Sequence, residues 1–449
     1  MIKYKIITLK KIKINNSVGE KMNKHRKHKS REFYINKTNK IMRQKHRKKY
    51  KHIKGIKGIK KRRTKYIPNK VIKLLDLKKF YHKIEKKENL VTIEIPIIFS
   101  LITNPEESIR TLKEIFTAVQ NERVEDLFLD YSKCEELGLC ASSVTDIIIL
   151  NGIKYRRMIN KPINPRGNVP KSEEAREIFI ISGLVKHLGL SKIENKNTVR
   201  LDIIKNEEQG KMTDEIIQYY DKCLNTQNYR LTQQGKSKFA HMIGEVLDNV
   251  NQHAGELATW YASGHFNIDK NRKDGKCRLV LFDFGDSIYE GLKREDTTEY
   301  TKKLLKDKTK EHYNIFNKKW NEEPLWMLYV LQYNVSRKRI DIEDDRGKGT
   351  IKLINNFMHI GKNIEGNNPI MAILSGNGYI LFDSTYTLKE KIVDGKKIPI
   401  IAFNQQNDLS QKPDSKYVRR IEENFPGTMI SMEFYLDKEY IEKQMEARL

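Results

Sequence analysis

The chain has 449 residues, with 86 lysines and arginines against 58 acids and a formal net charge of +28. Nearly all of that charge, +26, sits in residues 1–75, where 28 basic residues face only Glu20 and Glu32; the rest holds 58 basic and 56 acidic side chains. A uniformly basic nucleic-acid coat is therefore excluded, and the nearly neutral remainder is long enough for about two or three folded domains.

The four cysteines, Cys134, Cys140, Cys223 and Cys277, are too few and too scattered for a disulfide framework, and none forms a C-x-x-C pair. They read as reduced thiols of a cytoplasmic protein. Lysines interrupt the opening MIKYKIITLKKIKI every few positions, and no apolar run reaches about 18 residues, so neither a signal peptide nor a transmembrane segment is expected.

Residues 1–75 combine Lys, Arg, His, Asn and Ile with almost no acids, including the low-complexity repeat GIKGIKK at 55–61. Like charges repel when such a segment is compact, so it reads as a disordered arm. It is either a solvated tail or an arm that tracks the phosphates of DNA or RNA, with steep salt dependence and no sequence choice.

The first folded unit, residues 88–165, opens with the apolar strand pattern VTIEIPIIF at 91–99. Asn104-Pro105-Glu106 then predicts a helix start with Pro in the first turn, running to about Gln120. A buried strand is expected over VEDLFLDYS at 124–132 and a helix over LGLCASSVTDIIIL at 137–150. Alternating strand and helix imply a small α/β layer structure. The stretch resembles a STAS domain, the fold of bacterial anti-anti-sigma factors, in which L-x-L-D-x-S leads through a short loop into a helix of small residues. It departs where phosphorylatable STAS proteins carry Asp-Ser: Gly138-Leu139-Cys140 stands there, with Ser142 and Ser143 further along. Docking or a structural role then replaces control by phosphorylation.

Residues 166–230 read as a helical connector. A Pro/Gly-rich break at 164–170 precedes a helix capped by Ser172, with Glu173 and Glu174 in its first turn, and Ile178, Ile181, Leu184 and Leu188 at helical spacing mark a packed face.

The segment FAHMIGEVLDNVNQHA at 239–254 predicts a helix with Phe239, Met242, Ile243, Val246, Leu247 and Val250 on one face. Glu245 and Asn249, four apart, project together, with Asp248 and Gln252 beside them. A carboxylate there can polarise water and an amide oxygen can ligate Mg²⁺, although the same spacing also describes a solvated face. Next, KCRLVLFDFGDSI at 276–288 is a buried strand ending at Asp283 and turning on Gly285, which places a carboxylate where it can accept from an amino group such as that of adenine. In DDRGKGTIKLINNF at 344–357, Gly347 and Gly349 let backbone N–H groups approach phosphates at a helix N-terminus. Ile370–Asp383 reads as two strands around a hairpin turn at Gly376-Asn377-Gly378, and FPGTMISMEF at 425–434 turns on Pro426-Gly427 into a strand that starts at Thr428.

Together these elements resemble the GHKL ATPase superfamily, the Bergerat fold of gyrase, histidine kinases, mismatch-repair ATPases and anti-sigma-factor serine kinases, over residues 231–440. The resemblance implies Glu245 as general base and Asn249 as Mg²⁺ ligand. It implies Asp283 with Gly285 at adenine, Gly347 and Gly349 as glycines of the ATP lid, and Thr428 near the base. His253-Ala254 also resembles the helix ending of the kinase branches. The family pattern D-x-G-x-G is broken here by Asp286-Ser287, an acid near the phosphates that would weaken their binding. PLWMLYVLQYNVSRK at 324–338 resembles the helix before the lid, and the long charged stretch 289–345 suits a gate that closes on nucleotide or a partner. No P-loop, no G-x-G-x-x-G after a strand and no H-E-x-x-H competes.

The expected fold class is α+β: a C-terminal two-layer α/β sandwich of the Bergerat type with a mixed sheet, after the STAS-like domain and the arm. The expected function is Mg²⁺-dependent ATP binding with slow hydrolysis or nucleotide-gated switching. The alternatives are a serine/threonine kinase acting on a STAS-like partner, or a non-hydrolysing ATP-dependent protein held on nucleic acid by residues 1–75. The resemblance further implies a nucleotide-dependent homodimer.

Overall fold

The computed structural model describes residues 89–181, 184–185, 198–205, 211–226, 228–233, 236–237, 240, 243–244, 260–268, 275–316, 321–332, 351, 354, 368–393 and 396–436. The described residues all belong to one compact unit, Pro68–Leu449. The arm, residues 1–75, lies outside them.

In chain order the elements are β1 (Leu90–Glu94), β2 (Ile98–Phe99), α1 (Pro105–Gln120), β3 (Asp126–Asp130), β4 (Glu136–Leu137), α2 (Leu139–Met158), β5 (Asn164–Gly167) and α3 (Glu173–Ile180). They continue with β6 (Thr198–Lys205), α4 (Lys211–Asn225), β7 (Trp260–Ile268), β8 (Gly275–Asp283), α5 (Ile288–Leu292), α6 (Glu299–Phe316) and α7 (Glu322–Val330). The last four are β9 (Ile370–Phe382), β10 (Lys389–Val393), β11 (Lys396–Ile400) and β12 (Val418–Leu436). The protein is mixed α and β.

The alternating pattern of the first unit folds into a parallel three-stranded sheet, β1-β3-β5. The expected strand over 91–99 breaks into β1 and β2 around Pro96, since proline cannot donate to a ladder. Helix α1 starts at Pro105 as expected, with Glu106 and Glu107 in its first turn. Helix α2 runs eight residues beyond the expected Leu150 and ends at Met158. Its end is fixed by buried Arg156, whose guanidinium donates to the carbonyls of Val119, Asn121, Glu122, Val124 and Lys161 at 2.6–3.3 Å.

The second sheet has the order β6-β7-β8-β12-β9, and every pair in it is antiparallel. This replaces the mixed sheet expected from sequence. Its edge strand β6 falls in the region expected to be a helical connector, and β5 stands where a Pro/Gly-rich break was expected at 164–170. The side chains of Val199 and Leu201 pack toward the core that α4 supplies, a short alternation that helix periodicity hides.

Alternate residues of β8, and Phe284 just after it, serve two cores. Cys277, Leu279 and Leu281 join one, with Ile216 and Tyr219 of α4 and Leu325 to Tyr329 of α7; Val280, Phe282 and Phe284 join the other, with α1 and α2 residues such as Ile109, Leu112, Val144 and Ile148. The sheet is therefore covered on both faces, which explains why its strand reads as an unbroken apolar run rather than an alternation. A two-layer sandwich describes only one side; α1 and α2 form a third layer, and the parallel sheet lies beyond them. Polar ties reinforce this docking. Lys113 Nζ meets Glu423 Oε2 at 2.7 Å, and the Tyr379 hydroxyl donates to the Ile102 carbonyl at 2.5 Å.

Both expected turns in the last strands are corrected. β9 passes through Gly376 without a hairpin, and β12 passes through Pro426-Gly427 without a break. The β9–β12 register shifts twice, between Arg420 and Phe425 and between Phe425 and Thr428. Gly376 has φ +61°, and across it the buried face of β9 changes parity: Met371 and Ile373 share a core with Ile380 and Phe382. That is the signature of a bulge, in which an extra residue re-aims the strand. Ser172 caps α3 as expected, accepting from Ala175 N.

Candidate functional site

Asp283 ends β8, wholly buried, with its carboxylate fastening the turn after β8 to the middle of β12. Oδ1 accepts the Gly285 N–H at 2.5 Å, closing the turn after the strand, and Oδ2 accepts the Thr428 N–H of β12 at 3.2 Å. A carboxylate holding backbone N–H groups is a strong acceptor, each such bond contributing about 1.5–3 kcal/mol. The approach of β12 depends on Gly427, whose φ is +117°; a β-carbon there would overlap the Asp283 carbonyl and the Phe284 Cα.

Thr428 leads to a second buried group. Its Oγ1 lies 2.8 Å from Ser375 Oγ, which also accepts the Ile288 N–H at 2.8 Å and reaches the Gly427 carbonyl at 3.2 Å. Ile288 opens α5, whose N-cap Ser287 makes a capping box with Glu290. One continuous polar array thus joins the end of β8 and the irregular middles of β9 and β12 to the start of α5.

The structure brings Asp283, Gly285 and Thr428 together, three residues separated by up to 145 positions in sequence. Glu245, Asn249, Gly347 and Gly349 lie outside the described residues, as does most of the predicted helix over 239–254, including His253. Among the described residues no group of three or more His, Cys, Asp or Glu side chains is placed to hold a metal ion.

The acid expected to disturb phosphate binding, Asp286, is engaged by the Arg294 guanidinium, with Nε at 3.0 Å. Ser287, at the position of the missing family glycine, is spent on capping α5. The break in the glycine pattern thus builds a helix start rather than leaving an unneutralised charge.

Sequence reading missed Ser375 and Glu323. Glu323, in the first turn of α7, accepts the Asn377 N–H at 3.0 Å and abuts Gly376, where a β-carbon would collide with its carboxylate. Burial raises its pKa, partly offset by the Asn377 N–H and by Arg420. Neighbouring Glu322 accepts from the Tyr289 hydroxyl, and Lys293 Nζ lies 4.0 Å over the Tyr289 ring. No local motif marks either residue, because each acquires its role from a strand more than 50 positions away.

No family model matches the chain, and neither a curated protein nor a solved structure is detectably similar to it. Among the described residues no helix is long and apolar enough to cross a membrane.

Proposed function

We propose that the chain is a Mg²⁺-dependent ATP-binding protein of the histidine-kinase-like ATPase superfamily, acting as a slow ATPase or nucleotide-gated switch. The observation that carries the reading is the pairing of a buried strand-end carboxylate, Asp283, with Thr428 of the adjacent strand through a glycine that permits close approach. A carboxylate acceptor at this place suits the exocyclic amino group of adenine, which donates. In this reading Glu245 orients water, Asn249 holds Mg²⁺, and Gly347 and Gly349 receive the phosphates; the metal would supply charge neutralisation of the phosphoryl group.

Switching is favoured over simple turnover by the packing beside the site. Phe284 follows Asp283 directly and Phe425 precedes Thr428 by three residues, and both are buried in the core shared with α1 and α2. A ligand that shifts the end of β8 and the facing middle of β12 must therefore also act on the first unit.

The test is a calorimetric titration of the full chain with ATP, with and without Mg²⁺, comparing wild type with Asp283→Asn and Asn249→Ala. Saturable binding that falls at least about tenfold in Asp283→Asn, and loses its Mg²⁺ dependence in Asn249→Ala, is expected. Absence of ATP binding by the folded wild type would reject the proposal.

A further inference from the structure

We infer that Glu423 is a positioning residue through which helix α1 of the first unit holds the part of β12 that carries Thr428, so that nucleotide affinity depends on a contact made outside the nucleotide site. The inference rests on the reading above and names the contact by which the first unit acts on that site.

Strand β12 is irregular just before Thr428. Arg420 pairs with Gly378 of β9, Phe425 with Gly376 and Thr428 with Ser375. Ile421 to Asn424 therefore stand opposite Asn377 alone, and Pro426 and Gly427 opposite no residue of β9. The β8 ladder starts only at Met429. A segment looped out of both ladders takes its position from side chains.

Two sets of side chains hold it. Within the sheet, Asn377 Nδ2 donates to the carbonyls of Ile421 at 2.9 Å and Glu422 at 3.2 Å, and its Oδ1 accepts from Asn424 Nδ2 at 3.2 Å. From outside the sheet, α1 reaches Glu423: Lys113 Nζ lies 2.7 Å from Oε2, and Arg110 Nε 3.4 Å from Oε1. Arg110 is more than half exposed, so its contact adds little. Lys113 is buried, and a buried ammonium is costly to leave without its carboxylate. Burial works against ionisation of Glu423, but Lys113 and then Arg110 outweigh it and hold its carboxyl below the ordinary range.

Ile421 and Phe425, on either side of Glu423, are wholly buried in the core that α1 shares with the sheet. Helix α1 thus grips this stretch by one charge and two apolar anchors, and the charge can be released without opening a cavity. Register is weakly specified where a ladder is interrupted. Without the clasp, the arrangement in which the Thr428 N–H reaches Asp283 is held by only a fraction of the molecules, and a ligand at that pair binds more weakly in proportion.

The experiment compares wild type, Lys113→Met, Glu423→Gln and the double variant of the full chain by hydrogen–deuterium exchange and by calorimetric titration with ATP and Mg²⁺. Exchange of residues 421–428 is expected to rise about tenfold or more in each variant while that of β7 keeps its wild-type rate. ATP affinity is expected to fall about fivefold or more, with the double variant no worse than either single one. Exchange that rises equally in β7 and in 421–428 marks a merely structural pair and overturns the inference, and so does wild-type ATP affinity in the folded variants. If either single variant fails to fold, Glu423→Asp decides, because it draws the carboxylate back by one methylene: the same local rise and the same weakening support the clasp, and wild-type values overturn it. Wild type that binds no ATP removes the underlying reading and the inference together, whereas wild type that binds ATP beside unaffected variants removes the inference alone.

Discussion

The backbone N–H of Thr428 points at the carboxylate of Asp283, 3.2 Å away across the β8–β12 pair, and the glycine between Pro426 and Thr428 makes that approach possible. Gly427 has φ +117° and no room for a β-carbon against the Asp283 carbonyl. Gly427→Ala should cost about 2 kcal/mol or more through backbone strain and overlap. Urea unfolding at neutral pH reads the loss, and a change within about 0.5 kcal/mol would show that the two strands adapt.

Arg156 should be among the least replaceable residues of the first unit. Five backbone carbonyls from the end of α1, the loop before β3 and the loop after α2 accept from its guanidinium. Arg156→Met should destabilise by roughly 3–5 kcal/mol, since the carbonyls stay buried without donors. Arg156→Lys should recover only part of it, because an ammonium lacks the planar fork. Denaturant midpoints of the two variants check the order.

Glu323 predicts a pH effect of defined sign. Burial raises its pKa above the ordinary 4.5, so the folded state holds this proton more tightly than the unfolded one. Its contribution is fully present below pH 4.5 and is lost as pH rises through the folded-state value. Glu323→Gln keeps an oxygen for the Asn377 N–H and removes the charge. The variant should match wild type near pH 4.5 and become more stable relative to it at higher pH, as followed by unfolding at a series of pH values.

His265 predicts the opposite. It is wholly buried and accepts from Arg278 at Nδ1, which places its proton on Nε2, an atom with no hydrogen-bond partner among the described residues. Burial first, then the positive charges of Arg278, Arg200 and Lys276, hold its pKa well below the ordinary 6.5. Stability from the neutral ring is present above pH 6.5 and is lost as pH falls through the folded-state value. In His265→Gln this loss should disappear, giving a shallower decline between pH 6.5 and about 5; an unchanged slope would assign the decline to carboxylates.

The helix starts at Pro105 and Ser172 and the buried strands ending at Asp130 and Asp283 were all legible in the chain, because capping residues, proline and apolar runs act over a few neighbouring positions. So was the candidacy of Asp283, Gly285 and Thr428, through motifs of a few residues each. The two strands through Gly376 and Gly427 were not, since a glycine that bends a strand and one that ends it have the same local composition. Nor could sequence reveal the second cover on the sheet: Phe282 and Leu281 are both apolar, and only packing decides that one meets α1 and α2 while the other meets α4 and α7.

The sequence by itself determined where the charge lies, in residues 1–75, and which short segments place a carboxylate beside a glycine, as at Asp283 and Gly285. Only the tertiary structure decided what surrounds them. Ser375, 53 positions from Thr428 and 87 from Ile288, becomes their common partner because the irregular middles of β9 and β12 meet a helix start at the end of β8, and that convergence is a property of the packing rather than of any residue in it.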